Sequence, residues 1–132
     1  MRNLILNSLE IRRFRAFEHL QIERLGRVNL ITGKNNVGKS SLLEALLLYA
    51  GGGSFRYIKK VLEEHDQTGL SPLSPFLNQN LVELFPALRY LFYGRNDIKG
   101  KIEQLHIGPI NAPDDTLTVM VGGYEAYKVD ED

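Results

Sequence analysis

Apolar residues alternate through Leu9 and Ile11 in "SLEIRRFRAF" (8–17), until Arg12-Arg13 breaks the step. In "EHLQIERL" (18–25), Leu20 and Ile22 share one face, with Gln21 and Glu23 on the other. Period-two alternation with one polar face predicts two strands of an antiparallel ribbon, closed at Gly26. "RVNLIT" (27–32) is short and mostly apolar, the composition of a buried strand. The period then becomes helical from Ser40 to about Ala50. Leu42, Leu46 and Tyr49 form one stripe, Leu43, Leu47 and Ala50 another, and Glu44 is the single charge. A helix apolar on most sides is expected to be packed on most sides. "GGGS" (51–54) ends it and reads as a flexible loop.

Further on, "FRYIKKVLEEHD" (55–66) is amphipathic, with Phe55, Ile58, Val61 and Leu62 on one side. "TGLSPLSP" (68–75) is a breaker segment. "NLVELFPALRYLFY" (80–93) has helical spacing interrupted by Pro86. "KIEQLHIG" (101–108) and "TLTVMV" (116–121) read as strands around the turn "PINAPDD". They extend the β-rich part, and the tail "VDED" reads as solvated.

A chain of 132 residues holds one domain with a core. Sixteen basic and sixteen acidic residues cancel, which removes a whole-chain electrostatic case for nucleic acid. There is no cysteine, hence no disulfide and no thiolate metal site. His19, His65 and His106 have no ligand spacing. The N-terminus "MRNLILNSLEIRRF" lacks a signal-peptide core, and no window is apolar enough to span a membrane. A cytoplasmic location is the expectation.

One segment changes the picture. Gly33-Lys34-Asn35-Asn36-Val37-Gly38-Lys39-Ser40 fits G-x-x-x-x-G-K-[ST], the Walker A or P-loop pattern. It stands between an apolar run and a helix, as its chemistry requires. Gly33 and Gly38 permit backbone conformations that a β-carbon would block. The amides around positions 36 to 41, from Asn36 and Val37 through Ser41, are then expected to converge as an anion-binding nest. The helix end adds unpaired N–H groups and about half a positive charge. Lys39 is expected to bridge the β- and γ-phosphates of ATP, and is the candidate catalytic residue. The Ser40 hydroxyl is the candidate Mg²⁺ ligand, since that ion prefers oxygen and keeps several waters. Asn35 and Asn36 tolerate left-handed turns, and either is a further candidate phosphate contact. Lys34 reads as a solvent-facing loop residue.

"LEIRRFRAFEHLQIERLGRVNLITGKNNVGKSSLLEAL" resembles the N-terminus of SMC-like, RecF-like and OLD-type ATPases, relatives of the ABC ATPases. They open with a strand ending in Phe-(Arg/Lys)-x-(Phe/Tyr), here Phe14-Arg15-Ala16-Phe17. A second strand and "G-x-N-x-x-GKSS-L-L-E-A-(L/I)" follow. The resemblance covers roughly the first 50 residues and is loose beyond Gly51. It implies that Arg15 approaches the nucleotide and that Phe14 or Phe17 flanks the adenine. The residues themselves also allow a solvated arginine and core phenylalanines. It further implies a glutamine contacting Mg²⁺ and water, for which Gln67, Gln79 and Gln104 all qualify. It implies head-to-head dimers with ATP between them, and DNA or nuclease partners.

The parts that hydrolysis needs are missing from the pattern. No run of four apolar residues precedes Asp-Glu; "KKVLEEHD" reads as a helix and "KVDED" has one apolar residue. No signature like L-S-G-G-Q occurs. The expected fold is therefore α/β, a partial P-loop NTPase lobe of ABC/SMC-like type. It has a mixed sheet and N-terminal antiparallel strands. Its parts are a ribbon (1–26), the P-loop strand and helix (27–50), a helical segment (51–100) and a β segment with tail (101–132). ATP binding is the expected activity, with hydrolysis only once the missing elements are supplied. Self-association or a second ATPase lobe is expected, through an exposed patch containing Leu88, Leu91 and Phe92. Two alternatives stand beside this. One is a non-catalytic nucleotide-binding module. The other is a small GTPase, for which Asp97-Ile-Lys-Gly100 fits D-x-x-G but no N-K-x-D follows.

Overall fold

In the computed structural model, residues 6–34, 38–64, 87–94 and 102–122 are described. The two N-terminal alternating runs form β1 (Leu9–Phe14) and β2 (Phe17–Ile22), an antiparallel hairpin turning on Arg15 and Ala16. Strand β3 (Ile102–Gly108) pairs with the other edge of β1, and β4 (Leu117–Gly122) pairs with β3. The sheet order is β2-β1-β3-β4, antiparallel throughout. Register puts Ile11 opposite both Leu20 and Ile107, and Leu105 opposite Val119, so apolar residues share one face. Glu10, Arg12, His19, Gln21 and His106 lie on the other. Arg13, at φ 57°, interrupts the alternation of β1, and Phe14 is the next residue to be fully buried.

Among the described residues two α-helices pack on the sheet, α1 (Lys39–Ala50) and α2 (Phe55–Glu64). Leu42, Ala45 and Leu48 of α1 are buried, as are Ile58, Val61 and Leu62 of α2. They form one core with Leu9, Ile11, Phe14, Leu105 and Ile107. The 3-10 turn Arg89–Leu91 and Phe92 seal the end of β1. Phe92 bridges Phe14, and the Tyr93 N–H donates to Arg13 O at 3.0 Å.

Three expectations are corrected. Arg27–Thr32 is not a strand: Val28 and Leu30 are 93% and 90% exposed, and Gly26 and Asn29 close a small turn there. An apolar strand needs neighbours on its edges and faces, and no described segment pairs with it. The parallel pairing expected of a mixed sheet is thus not formed among the described residues. Helix α1, by contrast, is packed on most sides as expected: Leu42, Glu44, Ala45 and Leu48 are buried, Leu46, Leu47 and Tyr49 pack against the core, and Leu43 is 61% exposed. Leu88, Leu91 and Phe92 are not an exposed patch: they are 9%, 0% and 1% exposed, against the end of β1. "GGGS" is a packed turn. The Gly51, Gly52 and Gly53 N–H groups donate to carbonyls of the last turn of α1. A β-carbon on Gly53 would meet Leu117 at 2.7 Å, and one on Gly51 would meet the Tyr57 ring. "TGLSPLSP", Asp97–Gly100, Gln67, Gln79, His65 and the tail lie outside the described residues.

Candidate phosphate-binding site

Helix α1 begins at Lys39, directly after Gly38, which is left-handed at φ 95°, ψ 14°. Its first closed turn is the Leu42 N–H to Gly38 O, 2.9 Å. No side chain caps this end, and no acid lies in the first turn. The partial positive charge of the helix end is therefore not met by a local carboxylate. Glycine is needed at 38 twice over. The positive φ strains any L-residue, and a β-carbon would lie 3.0 Å from the Phe17 ring and 3.5 Å from Ala16 Cβ.

Lys39 is half-buried and its Nζ donates to Gly33 O at 2.7 Å. The lysine reaches back across the loop, so its ammonium joins the two ends of the pattern, Gly33 and Gly38-Lys39. Gly33 itself has φ 153°. Ser40 is exposed on the first turn and Ser41 is half-buried beside it. Asn35, Asn36 and Val37 fall outside the described residues.

Of the hairpin residues, Phe14 is in the core at 0% exposure, and Phe17 packs its ring against Gly38. The resemblance implied that Arg15 approaches the nucleotide. In the structure its guanidinium turns inward, with Nε 2.7 Å from Glu44 Oε2 and both side chains about 5% exposed (5% and 6%). Its Nη1 donates to Tyr90 O and its Nη2 to Val61 O, at 3.3 and 3.2 Å. Glu44 is the residue that sequence reasoning passed over. Its signal was there: a lone acid in an apolar helix, and a lone arginine between two aromatic residues, each needing a partner if buried. Gln104 sits exposed on the polar face of β3.

Among the described residues no group of three His, Asp or Glu side chains gathers to hold a metal. The donor that fits Mg²⁺ is the exposed Ser40 hydroxyl. One protein oxygen suits an ion that completes its shell with water and phosphate oxygen. No helix among the described residues is long and apolar enough to cross a membrane.

A glycine loop closed by a lysine at the start of a helix, beside a β hairpin, defines the class: a partial P-loop NTPase lobe. Comparison with known proteins agrees. Residues 8–79 match the model of an AAA domain, and the chain belongs to that family, on the SMC/RecF-like side of the ABC-class ATPases. It is 41% identical over 61 residues to an uncharacterized protein of Methanocaldococcus jannaschii, covering 46% of this chain and 28% of that one. It is 40% identical over 70 residues to an ATP/GTP phosphatase of Helicobacter pylori, covering 53% and 19%. It is 45% identical over 53 residues to the DNA replication and repair protein RecF of Thioalkalivibrio sulfidiphilus, covering 40% and 15%. The matches thus span 28% or less of these relatives' lengths. No solved structure matches significantly. The family is one of ATP-binding ATPases.

Proposed function

We propose that the chain binds ATP with Mg²⁺ through the Walker A loop Gly33–Ser40, as part of an SMC/OLD-like ATPase. The observation that carries this is the Lys39 ammonium folded over the loop onto Gly33 O, at the uncapped positive end of α1. On binding, the lysine exchanges that carbonyl for phosphate oxygens. The amides from Asn36 to Ser41, Val37 among them, surround the phosphate, with Asn35 or Asn36 as side-chain contacts. The Ser40 hydroxyl would hold the metal, which would supply neutralisation of the phosphate charge. Lys39 stabilises charge that develops there during transfer to water.

Hydrolysis needs acids that this sequence does not supply in a recognisable strand, so turnover depends on a second lobe or a second chain. A non-catalytic ATP-dependent module is one alternative, favoured by the same missing acids, and a small GTPase is the other. The name of the RecF relative supports work on DNA as the wider setting, and the match to a phosphatase of ATP or GTP keeps guanine nucleotide in the test. A cytoplasmic location goes with that setting.

Titration calorimetry with Mg-ATP and Mg-GTP, on the chain and on Lys39→Ala, decides. We expect ATP to bind in preference to GTP. The substitution should weaken binding roughly 10- to 100-fold, the worth of about 1.5–3 kcal/mol for a charged hydrogen bond. Equal affinity of the variant would exclude this site, and preference for GTP would favour the GTPase.

A further inference from the structure

We propose that Arg15 is a positioning residue that sets the phosphate loop through a buried tie to Glu44, without touching nucleotide. This rests on the nucleotide-binding reading above. The tie joins four segments. The guanidinium meets Glu44 of α1 at 2.7 Å, the Val61 carbonyl of α2 at 3.2 Å and the Tyr90 carbonyl at 3.3 Å. The Arg15 N–H donates to Leu91 O at 2.9 Å.

Two features mark this as more than packing. Arg15 holds φ 52°, a left-handed conformation that is strained for a non-glycine residue. A buried ion pair is a poor source of stability, because desolvation offsets much of its attraction. Strain and desolvation at one residue call for an orienting role. The geometry supplies it. The next two residues, Ala16 and Phe17, lie against Gly38. The hairpin tip therefore grips α1 at two points, Gly38 by packing and Glu44 by charge. Six residues separate them, about 9 Å along a helix. Two fixed points set the direction of the helix end, and with it the amides and ammonium aimed at the anion.

The tests are Arg15→Lys and the double substitution Arg15→Met with Glu44→Met. Lysine keeps the charge but not the fork that reaches three acceptors. The double variant removes both charges at similar volume, so the fold survives. Two quantities are read well below the melting temperature: the Kd for Mg-ATP, and hydrogen exchange of the Leu42 amide, the first bond of α1. Both variants are expected to weaken ATP roughly tenfold or more and to speed Leu42 exchange by a similar factor, with the double variant still unfolding cooperatively at a melting temperature lowered by the lost donors to Val61 O and Tyr90 O. Wild-type exchange at Leu42 in both variants overturns the proposal. If affinity falls without that exchange change, Arg15 acts on nucleotide directly, which also overturns it. If the wild-type chain binds no ATP, the nucleotide reading fails and the exchange measurement still decides the tie.

Discussion

Gly38 carries two constraints at one atom, a positive φ and an aromatic ring where a β-carbon would go. Gly38→Ala is therefore expected to cost about 1–3 kcal/mol of stability, and to abolish detectable ATP binding because the first amides of α1 turn away. Thermal melts and calorimetry check both. On the opposite face of the sheet, Glu10 gathers His19 at 2.8 Å, Gln21 at 2.5 Å and Arg12 at 3.3 Å. The hydrogen bond from His19, then that from Gln21, then Arg12 hold its carboxyl at a pKa of about 2, below the usual 4.5. A depressed acid contributes stability above its unfolded value and loses it as pH falls through its folded value. The contribution is thus intact above about 4.5 and lost on descent toward about 2. Glu10→Gln should flatten the acid limb of the stability curve in that window, measured by urea unfolding at stepped pH.

At the level of elements, β1, β2, β3, β4, α1 and α2 were legible to within three residues at either end, because each carries its own periodicity. Arg27–Thr32 was not, though its composition is that of a strand. A strand is a pairing, and a run of apolar residues does not state whether its partner is at hand. Val28 and Leu30 each withhold about 1.5–3 kcal/mol of burial. An exposed extended apolar segment is an invitation to association. We expect Val28→Thr with Leu30→Lys to lower self-association in light scattering while leaving the melting temperature unchanged, since neither side chain packs on the core. A fall in melting temperature would show that the segment is already paired in solution.

For the whole molecule, one core fuses sheet and helices, so a cavity made in it is felt throughout. Leu105 is fully buried between β3 and the helices, and Leu105→Ala should cost about 2–5 kcal/mol, read from urea unfolding. The sequence holds no run of four apolar residues followed by the acids that hydrolysis needs. ATP turnover by the 132-residue chain is accordingly expected at background, and unaltered by Lys39→Ala. A rate well above background that this substitution removes would show that the chain carries its own acids.

The residues alone determined the helix α1 and pointed to the glycine-lysine pattern before it as a candidate phosphate loop, because glycine spacing, charge and a following apolar run are local properties. They also determined the polar and apolar faces of the ribbon. Only the tertiary structure decided where Arg15 points, that Glu44 answers it, that Leu91 and Phe92 seal β1, and that residues 27–32 pair with no other described segment. These are contacts between segments distant in sequence, and a residue's type limits its partners without choosing among them.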